Sequence, residues 1–290
     1  MDPISVTVRR GPVVEAVHRV HAVAVRDGEV VAEAGDTGLI SFLRSSAKPF
    51  QALPLVRSRP DLDDAELAIA AASHLAHDDQ LAAVRSLLAK APATEDDLEC
   101  GPEPTRIEHN CSGKHAGMLA VCRARGWEIA GYRLAAHPLQ REILHELAAA
   151  AGVEPGDIPS EIDGCGVPTY ALPLERTALL FGQLEQVDGG ARVAAAMRAH
   201  PDLIRGPMGA DSMLMRELPG WTAKGGAEGP LCATGDGLGV AVKVEDGNMR
   251  AVRPALAHFL AGLGYETGDL GVVPLDNSRG ELVGEIVVRS

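Results

Sequence analysis

The spacing of apolar residues changes along this chain, and the change limits which folds it can adopt. From Ile4 to Ala34 apolar and polar residues alternate, and Asp27-Gly28 separates two of the runs with a tight-turn signal. This pattern is typical of antiparallel strands. From about Pro49 to Arg216 the apolar residues recur at helical spacing instead, which predicts a mostly helical middle.

The C-terminal part returns to the strand pattern. After Trp221 come short alternating runs with a turn signal at 246–248, and we expect a helix over Pro254 to Leu263 and a terminal strand over Gly284 to Val288. Strands at both ends predict one antiparallel sheet built from the two termini and flanked by helices, with a helical region inserted. The predicted fold class is therefore mixed α/β, of the α+β type, in which strands and helices occupy separate segments of the chain. We expect a single domain over residues 1–290, with a sheet lobe at about 1–45 and 218–290 and a mostly helical region at about 46–217.

Composition narrows the class of partner. A hydrophobic content of 46% is enough for a large core, and a formal net charge of -13 with a pI near 5.2 disfavours nucleic acid or an anionic membrane as partner. No apolar run approaches the roughly 20 residues that span a bilayer, and the N-terminus lacks a signal-peptide pattern. We therefore expect a cytoplasmic protein that acts on a small molecule.

The segment RSSAKPF, residues 44–50, places Ser45 and Lys48 one helical turn apart. A lysine whose charged form is disfavoured can take the proton of a serine hydroxyl, so this pair is a candidate nucleophile and base. The structural alternative makes Ser45 a helix N-cap and leaves Lys48 solvated, while Ser46 offers a competing hydroxyl.

Two further segments could bring polar groups to the same pocket. In TAKGGAEG, residues 222–229, Lys224 precedes two glycines, which would let the backbone lie close to a ligand. The alternative is a glycine bulge with an exposed lysine. In AASHLAHDD, residues 71–79, Ser73 could supply a second hydroxyl, although a helix end followed by a new N-cap explains the same residues.

The cysteines suggest a metal site or unpaired thiols. Five cysteines are an odd set, so a disulfide framework is not expected. HNCSGKHAGM, residues 109–118, and EIDGCGVP, residues 161–168, bring thiols together with nitrogen donors. Such a set suits a soft tetrahedral ion such as Zn²⁺, and the alternative is a pair of buried unpaired cysteines.

Taken in order, RSSAKPFQ, ASH, HNCSGKHAGML, DGCGVPTYALPL, AHPDLIRG and AKGGAEG resemble the asparaginase II family of the thermolabile, Rhizobium etli type. The resemblance runs from about Val13 to Val287. It implies a fold similar to serine β-lactamases, penicillin-binding proteins and glutaminases, hydrolysis of L-asparagine to L-aspartate and ammonia, and a homodimer. One departure is that LAHDD follows Ser73 where the family commonly has an SHSGE-like stretch.

The resemblance also implies roles for individual residues. Ser45 matches the nucleophile and Lys48 its base, while Ser73 and Lys224 match a second Ser-Lys pair across the pocket. The remaining matches are three zinc ligands, Cys111, Lys114 and Cys165, and three residues of the substrate pocket, Arg44, His115 and Asp163. Two other functions stay open: another serine amidohydrolase of the β-lactamase-like fold, and a non-catalytic protein that binds zinc or an amino acid.

Overall fold

The computed structural model describes residues 1–289 and is organised around an eight-stranded antiparallel sheet. In chain order the strands are β1 (Ile4–Arg10), β2 (Val13–Arg26), β3 (Glu29–Ala34), β4 (Ile40–Phe42), β5 (Ser160–Ile162), β6 (Pro168–Pro173), β7 (Thr222–Gly225), β8 (Pro230–Gly235), β9 (Leu238–Val244), β10 (Val273–Asp276) and β11 (Leu282–Val288). The large sheet has the order β10-β11-β1-β2-β9-β8-β7, and β3 pairs with β2 beside this path. Both chain ends therefore build one sheet, and the predicted fold class is confirmed.

The register shows how tightly the two termini are joined. Val6 of β1 pairs with Val288 of β11 on one side and with His18 of β2 on the other. Val20 of β2 in turn pairs with Val244 of β9. The predicted turn at Asp27-Gly28 joins β2 to β3.

Along the chain, most helices lie between the N-terminal strands β1–β4 and the C-terminal strands β7–β11. They are α1 (Lys48–Gln51), α2 (Leu53–Ser58), α3 (Asp64–Ala70), α4 (Asp78–Lys90), α5 (Ser112–Arg125), α6 (Pro138–Ala151), α7 (Leu174–Gly182), α8 (Gly190–Ala199), α9 (Pro201–Arg205), α10 (Ala210–Glu217) and α11 (Val252–Gly262). The predicted C-terminal helix and strand are both present, each beginning two residues earlier than expected. No helix within residues 1–289 is long and apolar enough to span a membrane.

Two helices cover the centre of the sheet. Both α7 and α11 pack against β2 and β9, and β2 is buried on both faces from Val20 to Val25. Gly239 permits the close approach of α7, because a Cβ at this position would lie 2.0 Å from the carbonyl oxygen of Ala178. The sheet is thus enclosed as a rigid support for the segments that follow its strands.

A second, three-stranded sheet of order β4-β6-β5 supports the Ser45 segment. Phe42 pairs with Ala171 of β6, and the next residue, Leu43, donates its N–H to the carbonyl of Tyr170 at 2.8 Å. The chain then turns through a single 3₁₀ turn, Arg44–Ala47, into α1. This anchoring fixes where the serine is presented.

Candidate active site

Ser45 lies in the 3₁₀ turn rather than at a helix N-cap. The residue at the N-cap position of α1 is Ala47, which makes no side-chain capping bond. Arg44 has a φ of +50°, in the left-handed region that non-glycine residues seldom adopt. Ser46 is fully buried, and its Oγ donates to the carbonyl of Lys224 at 2.9 Å. The capping alternative for Ser45 is therefore excluded, and Ser46 is engaged in holding the turn against β7.

Lys48 is buried, which excludes the solvated alternative. Its side chain is 1% exposed, and Nζ donates to the carbonyl of Ala72 at 2.5 Å and to Ser73 Oγ at 3.0 Å. Burial lowers the pKa of the Lys48 amine, and the charge of Lys114 lowers it further, while Cys111 opposes the shift. A lysine in this environment is disposed to lose its proton and act as a base.

Lys224 is a second buried lysine, on β7. It is fully enclosed, and its Nζ donates to the carbonyl of Gly225 at 2.6 Å and contacts Asp211 Oδ2 at 3.3 Å. Burial lowers the pKa of Lys224 to about 8, with Lys48 adding to the effect and Asp211 opposing it. The alternative of a glycine bulge with an exposed lysine is excluded.

The structure distributes the polar partners differently from the predicted pairs. Lys48 donates to Ser73, and Lys224 contacts Asp211. Ser73 reaches Lys48 because α3 ends at Ala70 and α4 begins only at Asp78, so residues 71–77 cross the site without regular secondary structure. The backbone of Ser73 is held there by its N–H bond to the carbonyl of Ile204 at 2.8 Å. The helix end and new helix start that explain AASHLAHDD structurally are thus present, together with a buried contact to the candidate base.

The glycines after Lys224 allow β7 to approach the serine. A Cβ on Gly226 would lie 2.8 Å from the carbonyl oxygen of Leu43 and 3.1 Å from the amide nitrogen of Ser45. No side chain fits at 2.8 Å from a backbone oxygen without displacement. The glycine is therefore required for the contact between the end of β7 and the 3₁₀ turn.

A cavity of about 290 Å³ opens beside Ser45. Its polar and charged lining comes from Ser45, Asn110, Arg205, Asp211 and Arg253, together with backbone at Gly225. Asp211 and Asn110 are functional candidates that sequence reasoning missed. Asn110 stood inside a motif already singled out, whereas the sequence around Asp211 carries no recognisable signal.

Cys111, Lys114 and Cys165 converge beside this cavity. Lys114 Nζ donates to Cys165 Sγ at 3.0 Å, and Cys111 Sγ contacts Asn110 Oδ1 at 3.0 Å. Hydrogen bonding to Cys165 holds the pKa of Cys111 well below its usual value, and the charges of Lys48 and Lys114 act in the same direction. Burial works against the charged form of Lys114, but the neighbouring thiols raise its pKa.

These three residues form a donor set that fits a soft metal ion. No group of three His, Cys, Asp or Glu side chains suited to a metal occurs within residues 1–289, so the lysine amine is needed as the third donor. Two sulfurs and one nitrogen are donors that Zn²⁺ prefers in proteins. The other three cysteines differ, because burial raises the pKa of Cys100 and Cys232 to about 12 and of Cys122 to about 11.

Arg44 and Asp163 form an ion pair. Arg44 Nε donates to Asp163 Oδ1 at 2.8 Å, and the N–H of Gly164 donates to the same oxygen at 2.8 Å. Burial raises the pKa of Asp163, but Lys114, Gly164 and Arg44 outweigh it and leave the pKa lowered. The third predicted pocket residue, His115, is fully buried and its Nδ1 contacts the hydroxyl of Tyr132 at 2.7 Å, so it lies behind the zinc candidates and not in the cavity wall.

Comparison with known proteins gave a family and several structural neighbours. A family model described as L-asparaginase II matches residues 6–288, nearly the whole chain. No curated protein matched. Among solved structures, the chain is similar to Mglu in its native form, with 13% identity and a TM-score of 0.49 over 87% of this chain and 66% of Mglu. The chain thus spans slightly less than two thirds of the length of Mglu.

Two further solved structures cover more of their own length. A proposed β-lactamase from Bacteroides dorei DSM 17855 is 12% identical, with a TM-score of 0.47 over 83% of this chain and 93% of that protein. A β-lactamase (Mb2281c) from Mycobacterium bovis is 14% identical, with a TM-score of 0.35 over 79% of this chain and 88% of that protein.

Proposed function

Because the chain belongs to the L-asparaginase II family, we propose that it hydrolyses L-asparagine to L-aspartate and ammonia through a Ser-Lys nucleophile. The observation that carries this proposal is a pair of buried lysines, Lys48 and Lys224, whose pKa values are both lowered beside a turn that presents Ser45 to a cavity. An amine with a lowered pKa beside a hydroxyl in a cleft can activate that hydroxyl for acyl transfer.

In the first step, Ser45 Oγ attacks the side-chain amide carbon of asparagine while Lys48 takes the hydroxyl proton. The C–N bond breaks, the nitrogen receives a proton and leaves as ammonia, and water hydrolyses the resulting aspartyl ester to restore Ser45. Ser73 connects Lys48 to the leaving group as a relay, because its Oγ already accepts a hydrogen bond from Lys48. Lys224 has a pKa near 8 and shares two tasks with Ser73: its charge disfavours protonation of Lys48, and it supplies a proton to the leaving amine.

Arg44 and Asp163 supply the charges that recognise an amino acid. Asparagine carries an ammonium and a carboxylate on one carbon, so its ammonium can replace Arg44 at Asp163 while its carboxylate binds Arg44. One internal ion pair of 2.8 Å is thereby exchanged for two pairs with the substrate. A simple amide that lacks both charges gains nothing from breaking the internal pair.

Cys111, Lys114 and Cys165 are the residues that would hold Zn²⁺. When bound, the ion would supply a positive charge near the substrate and support its binding. Two of these three residues already lie in contact, since Lys114 Nζ donates to Cys165 Sγ. The homodimer implied by the resemblance and the cytoplasmic location expected from the sequence belong to this proposal as predictions.

The test of the function is ammonia release from L-asparagine by the wild type and by Ser45→Ala, at equal concentration and slightly alkaline pH. We expect turnover in the wild type and a loss of roughly a thousandfold or more in the variant, because the nucleophile is absent. Ser278→Ala is the control, since it removes an exposed hydroxyl in the turn between β10 and β11 and should retain full activity. Equal activity of Ser45→Ala and wild type would reject Ser45 as nucleophile, and no turnover in the wild type would favour the binding function.

The test of the metal site uses Co²⁺ as an optical probe of thiolate ligands. We expect added Co²⁺ to give a thiolate-to-cobalt charge-transfer absorption in the wild type, and Cys165→Ser to lose most of it. Cys122→Ser is the control, because this buried cysteine lies outside the donor set and should leave the absorption unchanged. The same spectrum in Cys165→Ser and wild type would exclude Cys165 as a ligand.

A further inference from the structure

Two guanidinium groups line the cavity beside Ser45, and the family resemblance assigns no role to either. Arg205 is the last residue of α9, and Arg253 lies in the first turn of α11; both side chains are half-buried. Arg205 Nη1 makes one long hydrogen bond, 3.4 Å, to the carbonyl of Ser73. Arg253 Nη2 donates to the carbonyl of Asp269 at 3.0 Å, and its Nε is buried without a partner in residues 1–289.

The single carboxylate in the wall of this cavity is already engaged. Asp211 accepts the N–H of Gly225 at 3.0 Å and the N–H of Ser212 at 3.1 Å, and it contacts the Lys224 amine. Within the described part of the chain, neither Arg205 nor Arg253 forms an ion pair. The cavity therefore presents two guanidinium groups with free N–H donors. Two parallel N–H groups of a guanidinium match the two oxygens of a carboxylate, so a carboxylate is the ligand that such a group prefers.

The size of the cavity exceeds what release of ammonia needs. Ammonia is about as large as a water molecule, which occupies roughly 30 Å³ in the liquid. The cavity holds about 290 Å³ and thus has room for a leaving group of several heavy atoms.

The position of the cavity points to the leaving-group side of the reaction. The proposed charge anchors for the aspartyl part, Arg44 and Asp163, are not among the residues that line it. In contrast, Asp211 and Gly225 do line it, and both contact Lys224. When the aspartyl part of the substrate is bound at Arg44 and Asp163, the leaving amine lies on the other side of the scissile bond. It therefore faces this cavity.

We propose that Arg205 and Arg253 bind a carboxylate on the leaving amine, so that the site accepts β-aspartyl amides of amino acids besides L-asparagine itself. The inference rests on the proposed function for the orientation of the substrate. With β-aspartylglycine, Ser45 attacks the β-carbonyl, the C–N bond breaks, and the nitrogen takes a proton to leave as the amino group of glycine. Water then hydrolyses the seryl ester and releases aspartate, so no further reactant is needed.

Calorimetry on Ser45→Ala tests the subsite without turnover. The two ligands are β-aspartylglycine and asparagine with an ethyl group on its side-chain amide nitrogen. They are similar in size, but only the first has a carboxylate at the end of the leaving amine. We expect β-aspartylglycine to bind at least tenfold more tightly. Adding Arg205→Gln or Arg253→Gln should each remove most of that preference, whereas Arg141→Gln, the same charge change on an exposed residue of α6, should leave it intact.

Equal affinity for the two ligands in Ser45→Ala, or a preference that survives both arginine substitutions, would overturn the proposal. The use of two separate arginine variants protects the test against one that does not fold. Turnover separates this outcome from a failure of the proposed function. If the wild type releases ammonia from asparagine while the binding preference is absent, the amidase stands and the subsite falls. If the preference is present but the wild type releases no ammonia, the subsite stands and the amidase falls.

Discussion

Asp211 controls the charge of Lys224, although no motif marks it in the sequence. Its carboxylate is 2% exposed, and two backbone N–H groups hold it against the lysine. Burial alone pushes the pKa of Lys224 downward, and Asp211 is the largest influence in the other direction. The value near 8 is thus a balance between the two, which places the lysine close to the pH at which it can both accept and give a proton.

Replacing Asp211 by Asn should shift the pH profile of turnover. Asn keeps the size and the oxygen that accepts from Gly225, but it removes the charge that raises the pKa of Lys224. The pKa of Lys224 then falls below about 8, so the protonated form that donates to the leaving amine is lost at lower pH. We expect the alkaline limb of the kcat profile to move down by about one pH unit.

The measurement is kcat for L-asparagine between pH 6 and 10. Asp188→Asn, an exposed residue in the loop between α7 and α8, serves as control for the change in net charge. An alkaline limb that stays at the wild-type position in Asp211→Asn would show that Lys224 does not carry that proton.

For individual residues, the sequence identified the candidate side chains but not the groups that they contact in the folded protein. Ser45 and Lys48 could be placed because one helical turn separates them in the chain. The contact from Lys48 to Ser73 could not be foreseen, because it depends on how residues 71–77 cross the site, and a tertiary path leaves no periodic trace in the sequence.

Among the elements, the end of β7 and the 3₁₀ turn at Arg44–Ala47 form the contact that shapes the site. Ser46 Oγ binds the carbonyl of Lys224, and Gly226 lies against the backbone of Leu43 and Ser45. Each element comes from a different end of the chain, so the serine and the second lysine meet only when the sheet has formed. The site is therefore a product of sheet assembly.

Gly226→Ala should impair turnover more than folding. The added Cβ would meet the Leu43 carbonyl oxygen at 2.8 Å, so the end of β7 or the serine turn must shift. Overpacking of this kind costs about 1–3 kcal/mol of stability, whereas a displacement near 1 Å at the proposed nucleophile can lower activity roughly a hundredfold. The check is kcat/KM for L-asparagine together with the free energy of unfolding in urea.

The matched control is Gly262→Ala at the end of α11, where an added Cβ meets no atom within 4 Å. It should leave both activity and stability near wild type. A Gly226→Ala protein with wild-type kcat/KM would mean that the close approach of β7 has no catalytic role.

The order of the elements was predictable for a physical reason. Alternation of apolar residues indicates strands wherever one face is buried, and it marked β1, β2, β3, β8, β9 and β11. The short strands β4, β5, β6 and β10 were missed, because three to six residues are too few to show a clear alternation; β4, β5 and β6 also lie within the segment of helical spacing or beside it.

For the whole molecule, the enclosed site opposes stability. Lys48 and Lys224 are both buried among the largest enclosed side chains, and each has a pKa lowered by burial. A lysine whose pKa is lower in the folded protein than in the unfolded chain must give up its proton, or hold it unfavourably, when the chain folds. Below the unfolded pKa this reduces the free energy of unfolding. The fold carries this cost because its sheet and helices bury enough apolar surface to exceed it, as is usual at sites arranged for catalysis.

Lys224→Met should abolish turnover and change how stability depends on pH. In the wild type Lys224 titrates near 8 when folded and near 10.5 when unfolded, so between these values the unfolded chain holds more protons. The free energy of unfolding of the wild type therefore rises with pH in this window, by about 3 kcal/mol in total from this one group. Lys224→Met lacks the group, so the wild type should gain stability relative to the variant from pH 8 to 10.

Lys90→Met is the control. The bond from Lys90 to Glu66 raises the pKa of Lys90, so the contribution of this lysine to stability is constant from pH 7 to 10. Urea unfolding at pH 7, 8, 9 and 10 measures both differences, and a wild-type minus Lys224→Met difference that stays flat would contradict a buried lysine with a lowered pKa.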